Sequence, residues 1–401
     1  GGTMRSTADQ YRMSREKLAY LVDSTAAPVA GLAVVSTWVA IEISYMAEGL
    51  KMGGIVESHA AFEMFIQSIP YRFYPWLALA MVFVISITGR DFGPMRRAEM
   101  LANDSDRQLD VAESDWEEHE SRWLWTAAVV PVVLCVLAVA VVLVYTGLQS
   151  LAESGVEDQD VSRLRWAGEV LGNGDSYVAL IVGGFTGLFT ALLMHLALSS
   201  CSLSKCLLAA LAGARQMVPA LVILWFAWAL SAMTEPERLD TGGYLASVLS
   251  DRLDPRMLPT AVFLIAGAMA FSTGTSWGTM AIMTPLSIGL ALQLDPEGGA
   301  SGANVLATCG SVLAGAIFGD HCSPISDTTV LSSRASDCDH VAHVRTQMPY
   351  AVLVALICVS VGTIPAAFGL SPWASLTLGV LLIVGFVLWV GKQPRETAES
   401  S

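Results

Sequence analysis

Asp320, Ser323 and Asp327 stand at spacings i, i+3 and i+7. On a helix such residues share one face. Pro324 lies between them, and a proline inside a helix frees the carbonyl four residues back, here that of Asp320. The run Gly319-Asp320-His321-Cys322-Ser323-Pro324-Ile325-Ser326-Asp327-Thr328-Thr329 therefore offers two carboxylates, four hydroxyls and unwound main chain. Those are the oxygen donors that hard cations prefer, and broken helices of this kind hold small cations in secondary transporters. A surface loop between two helices has a similar composition. The long charge-free runs on either side favour the functional reading, because ionisable groups set between apolar segments carry function by default.

Other constellations are weaker. Asp23-Ser24-Thr25-Ala26-Ala27-Pro28 stands where a basic stretch meets the first apolar run, and spacing alone favours a helix N-cap there. It also echoes Asp327-Thr328-Thr329, as inverted repeats would. His321, Cys322, Cys338, His340 and His343 fit no standard zinc spacing. His340 and His343, with Arg345, read as a solvated helix start capped by Asp337 or Asp339. His195, alone in an apolar span, reads as a hydrogen-bonded packing residue. Glu42 reads as a snorkelling position at the end of the first apolar run. Phe318-Gly319-Asp320 is a partial echo of intramembrane aspartyl proteases, which need a second aspartate on a facing helix; none is evident. No phosphate-cradling loop and no cofactor motif is present, so no enzymatic activity is expected.

The elements that must position these residues are apolar blocks. The chain has 401 residues, 54% hydrophobic and 14% charged, against about 25% charged in soluble domains. Disorder and a soluble globular enzyme are both excluded. Residues 24–41, 73–89, 123–152, 176–204, 216–234, 257–294, 298–319 and 346–391 contain no Asp, Glu, Lys or Arg. A span needs roughly 20 apolar residues, and the last window holds two helices separated by Gly369-Leu370-Ser371-Pro372, so about nine membrane segments are expected. An outer-membrane barrel would show short alternating strands instead. The expected fold is all-α: a polytopic transmembrane helical bundle with re-entrant or broken helices. Breaks are expected within 257–294, at Ser272-Thr273-Gly274-Thr275-Ser276, and within 298–330.

Loop charges orient the bundle. Residues 1–17, with Arg5, Arg12, Arg15 and Lys17, are placed in the cytoplasm. The 42–72 connection, with Lys51 and Arg72, faces outward; 90–122, with five arginines, faces inward and reads as an acidic solvated tether. The net charge is −14, and only Lys17, Lys51, Lys205 and Lys392 are lysines, which disfavours nucleic-acid binding and suits a salt-rich cytoplasm such as a halophile's. The seven cysteines read as free thiols. The chain opens Gly1-Gly2-Thr3-Met4, without an initiator Met or signal peptide, and reads as a fragment whose upstream part is missing.

The run from Gly319 to Thr329 resembles the NhaC-type sodium/proton antiporters. So do Glu16-Lys17-Leu18-Ala19-Tyr20 with Asp23 to Ala30, Tyr71-Arg72-Phe73-Tyr74-Pro75, and Ser272 to Thr279. The resemblance implies a multi-pass exchanger of the ion-transporter superfamily in the cytoplasmic membrane, with inverted repeats and hairpins reaching the midplane. Family members are longer at the N-terminus, so residues 1–122 would be the end of a first repeat with two membrane segments and a cytoplasmic acidic loop. Residues 123–401 would be a second half with about seven segments. Related proteins exchange organic acids such as malate for lactate.

The reading that follows is secondary antiport of Na+ against H+. Burial favours the neutral form of a carboxylate and a bound cation favours the ionised form, so one aspartate holds either a proton or Na+. Asp320 and Asp327 are the exchanging carboxylates, with no choice between them. Ser323, Thr328, Thr329, Thr275 and Ser276 are neutral oxygen ligands, and Asp23, Ser24 and Thr25 a gate or repeat partner. The partners are the two ions and the lipid bilayer; a homo-oligomer is compatible with this reading. The rivals are a Na+-coupled or H+-coupled exchanger of small organic acids, for which Arg334 and Arg345 are the nearby cations, and a non-transporting membrane fragment.

Overall fold

A computed structural model describes residues 4–34, 38–55, 60–104, 124–153, 166, 170, 174–198, 202–233, 238–239, 244, 254–295 and 298–393. These residues are helical, and an isolated bridge between Asp91 and Lys392 is the one β pairing among them. The helices are α1 (Arg5–Gln10), α2 (Arg15–Ala30), α3 (Val39–Met52), α4 (Ala60–Ser68), α5 (Phe73–Thr88), α6 (Gly93–Asp104), α7 (Leu124–Glu153), α8 (Ser176–Leu198) and α9 (Leu203–Met233). They continue with α10 (Leu258–Thr273), α11 (Ser276–Leu294), α12 (Ala303–Cys322), α13 (Asp327–Ser336), α14 (His340–Ile357) and α15 (Pro372–Val390). Seven helices among the described residues are long and apolar enough to cross a membrane, or up to eight if one bent pair counts as a single span. The protein is a multi-pass, all-α bundle.

Two compact units are present. One comprises Gly1–Trp38, Glu42–Ser105 and Pro219–Ser401; the other comprises Val39–Ile41 and Asp106–Val218. In the second unit α7 packs on α8, where Gly183 and Gly187 let the backbone approach Val139 and Cys135. The first unit holds all the residues singled out for ion chemistry. Its centre is α12, which is buried along nearly its whole length. Gly315 and Gly319 of α12 lie against the carbonyls of Phe263 and Gly267 on α10, so a side chain at either glycine would collide with backbone. Small residues that allow such approach are the usual seam between membrane helices, where no hydrophobic force draws helices together.

Three expectations about elements need correction. The window 24–41 is not one span: α2 ends at Ala30, the chain turns at Gly31, and α3 starts at Val39. The cap of α2 is Ser14, whose hydroxyl accepts from the Lys17 amide at 3.2 Å. Asp23 therefore lies inside the helix and is not its N-cap. Part of the expected 90–122 tether is the ordered helix α6, whose Glu99 accepts from the Ser14 amide at 2.8 Å; residues 105–122 lie outside the described residues, as does most of the acidic 153–175 loop. The bend of 44° between Ala60–Tyr71 and Phe73–Thr88 was not anticipated; it falls at Arg72, between Pro70 and Pro75.

Candidate ion-binding site

Both expected breaks are present, and each has a local cause. α10 stops at Gly274, which takes a left-handed conformation (φ +67) that other residues adopt only with strain. Thr275 is extended and caps α11, accepting from the Gly278 amide at 3.4 Å. Each half, counting the 3₁₀ turn before α10, is nonetheless 19 residues long, enough to cross on its own. α12 stops at Cys322 because Ser323 precedes a proline and is driven to extended backbone (φ −80, ψ 128). Ser326 then caps α13 by accepting from the Thr329 amide at 3.4 Å. The carbonyl of Asp320 is not freed, as the Pro324 argument expects; it accepts from the Ser323 amide at 3.1 Å.

The two breaks touch. A Cβ on Gly274 would lie 2.6 Å from the carbonyl oxygen of Ile325. The Ser323 hydroxyl donates to the Phe271 carbonyl at 2.8 Å, tying the end of α10 to the interruption after α12. Around this junction three carboxylates gather. Asp320 is fully buried; its Oδ2 accepts from the Thr328 hydroxyl at 3.1 Å, and its buried Oδ1 has no hydrogen-bond partner among the described residues. Asp327 is half-buried and accepts from the Thr328 amide at 2.8 Å, so Thr328 bridges the two aspartates. Asp23 comes from α2, fully buried. Its Oδ2 accepts from Thr329 Oγ1 at 3.0 Å and Gln347 Nε2 at 2.6 Å, and its Oδ1 from Ser332 Oγ at 3.4 Å.

Other residues singled out in the sequence serve differently. Ser276 is fully buried with an unpartnered hydroxyl, and neither Ser276 nor Thr275 hydrogen-bonds to an aspartate of the cluster. Ser24 is buried beside Asp23, whereas the Thr25 hydroxyl turns back on the Leu21 and Val22 carbonyls of its own helix. Asp339 caps α14, as expected, accepting from the Ala342 amide at 2.8 Å. His343, however, is not solvated: it is fully buried between Ser333 and Gln347. His321 is also buried, with Nδ1 3.0 Å from the Tyr74 hydroxyl. Cys338 stands at the turn before α14, where burial first and the nearby Glu16 and Asp339 second push its thiol up to about 12. The six described cysteines are free thiols.

Two buried charged groups elsewhere in this unit are paired, both against expectation. Glu42 does not snorkel; it is buried 2.8 Å from Arg72, whose guanidinium also reaches the Gly31 carbonyl and Ser68, and lies over the Phe65 ring. Lys17 is buried too, 2.6 Å from Asp91 and 3.6 Å from Glu99, while Tyr350 donates to Asp91 at 2.9 Å. Among the described residues no Lys or Arg comes within ion-pair distance of Asp23, Asp320 or Asp327. Two carboxylates flanking interrupted main chain and a third from α2, with no basic partner among the described residues, form an arrangement suited to exchanging cations.

A sequence model of the Na+/H+ antiporter family matches residues 29–370. The chain belongs to the Na+/H+ antiporter family. An uncharacterized protein of Haemophilus influenzae is 33% identical over 392 residues, which cover 96% of this chain and 70% of the relative. A protein of the same organism named an uncharacterized Na(+)/H(+) antiporter is 42% identical over 107 residues, 26% of this chain and 21% of its own length. The malate-2H(+)/Na(+)-lactate antiporter of Bacillus subtilis is 37% identical over 114 residues, 27% of this chain and 23% of its own. No solved structure matches significantly. In this member of the antiporter family, the residues that sequence reasoning missed are Gln347, Ser332 and the buried His343. A scan for charge passes over Gln347. Its signal was the polar i, i+4 pair that it makes with His343 on one helix face.

Proposed function

We propose that this chain exchanges Na+ for H+ across the cytoplasmic membrane, with Asp320 as the carboxylate that the two ions share. The observation that carries the reading is the buried Oδ1 of Asp320, unpartnered among the described residues, in a cluster that no described Lys or Arg approaches within ion-pair distance. An isolated carboxylate charge in a dry interior is costly, so the group takes up a proton or a small cation. Thr328 holds the other oxygen of Asp320 and orients the carboxylate. Asp327, half-buried and linked to Asp320 through Thr328, passes ions toward it. Asp23 has both carboxylate oxygens already engaged by protein donors. Ser276, with its free hydroxyl, is the neutral ligand on the α11 side, and Thr275 fixes the break from which Ser276 projects. Ser323 and Thr329 act as ties within the site. Ser24 and Thr25 remain with Asp23 as the gate segment on α2.

Everted membrane vesicles that express the chain, given an outward or inward proton gradient, should show a Na+-driven pH change. Asp320→Asn is expected to abolish it and Asp327→Asn to weaken it. Full exchange in both variants would overturn the assignment. A second reading, exchange of small organic acids, needs a cation at the site to hold the anion. Arg334 and Arg345 are both exposed. Addition of malate or lactate is therefore expected to leave the Na+-driven signal unchanged.

A further inference from the structure

Gln347 lies inside α14, one turn after His343, and its amide ties α14 to two other helices. Nε2 donates to Asp23 Oδ2 on α2 at 2.6 Å and to the main-chain carbonyl of His321, near the end of α12, at 2.9 Å. Two acceptors on that side place the NH2 group there. Oε1 therefore faces His343 Nε2, at 2.9 Å, which must carry the imidazole proton in this bond. The connections close on themselves. Ser333 Oγ lies 2.8 Å from His343 Nδ1 and 2.7 Å from the Thr329 carbonyl, its one proton shared between these two acceptors, and the Thr329 hydroxyl returns to Asp23 at 3.0 Å. Gln347, His343, Ser333, Thr329 and Asp23 are all fully buried.

We propose that Gln347 is a positioning residue for the exchange: it holds the Asp23 carboxylate against the end of α12 and thereby sets the apparent affinity for Na+. The inference rests on the exchange reading given above. Asp23 and Asp320 belong to helices far apart in the sequence. A cation beside Asp320 feels Asp23 by Coulomb attraction, which depends steeply on distance where water is excluded. An amide that donates to both Asp23 and the adjacent His321 carbonyl fixes that distance without adding charge. A lysine in its place would neutralise Asp23; a leucine would leave it one donor short.

The test is 22Na+ binding to the purified full chain in detergent. Gln347→Met keeps length and neutrality but removes both donors. It is expected to weaken apparent Na+ affinity about tenfold, the scale of one hydrogen bond to a charged group. In proteoliposomes the defect should appear in the Na+ concentration for half-maximal exchange rather than in the maximal rate. In an Asp23→Asn background, adding Gln347→Met should change binding no further, because the amide acts through the carboxylate. Equal affinity in wild type and Gln347→Met overturns the inference, and so does an effect of the same size in both backgrounds. Wild-type protein that binds no Na+ overturns the exchange reading together with this one, whereas wild-type binding with an unaffected Gln347→Met overturns this one alone. Should Gln347→Met not fold, Gln347→Lys keeps a donor and places a cation on Asp23. It is expected to reduce Na+ binding by about tenfold or more, and unchanged binding in that variant also overturns the inference.

Discussion

At the scale of single residues, the site depends on hydroxyls as much as on carboxylates. Thr329 Oγ1 donates to Asp23, and Thr328 Oγ1 donates to Asp320 while its amide holds Asp327. Thr329→Val keeps the shape and removes the donor. Its half-maximal Na+ concentration is expected to rise about tenfold, whereas Thr329→Ser should stay close to wild type; equal behaviour of the two variants in a vesicle assay would contradict this role for the hydroxyl. The aspartates and threonines of 320–329 were legible in the sequence because charge and hydroxyls within apolar runs are rare. Gln347 was not, since an amide carries no charge and leaves a hydropathy window unbroken. Asp23 was legible as a residue of interest but misread as a cap. A helix start is inferred from local spacing, and Ser14 provides an earlier and better one.

At the scale of elements, the site exists because two helices stop beside each other. Gly274 ends α10 with a positive φ, and there is no room for a Cβ against Ile325. Gly274→Ala combines left-handed strain with a backbone collision and is expected to cost about 2 kcal/mol or more, read as a lower unfolding temperature in detergent. Gly385→Ala is the control: that glycine is helical and faces open space, so the change should be neutral or slightly stabilising. Both interruptions could be read from Gly274 and Pro324, whose backbone limits are intrinsic to the residue type. The bend at Arg72 and the order in α6 could not, because they depend on tertiary partners. Arg72 is held by Glu42 and by the Gly31 carbonyl, and α6 is held through Glu99 to the start of α2.

At the scale of the molecule, the buried charged groups of the first unit fall into paired and unpaired sets. Arg72 with Glu42, and Lys17 with Asp91 and Glu99, are buried ion pairs that hold distant segments together. Removing one member leaves an uncompensated charge, so Arg72→Met is expected to destabilise the protein by about 3–5 kcal/mol, and Arg72→Met with Glu42→Leu by less. Thermal unfolding of the three proteins checks the order, and a double variant no better than the single one would contradict it. Loop-charge arguments treated Arg72 and Lys17 as water-facing because sequence does not reveal a partner. The Asp23, Asp320 and Asp327 carboxylates are the contrasting case, gathered beside interrupted main chain with no basic partner among the described residues. The most direct test of their role is to add Na+ to the purified protein in weakly buffered detergent solution and record the pH. Protons should be released on Na+ binding in the wild type and not in Asp320→Asn; Na+ binding without proton release, or undiminished release from Asp320→Asn, would contradict the account.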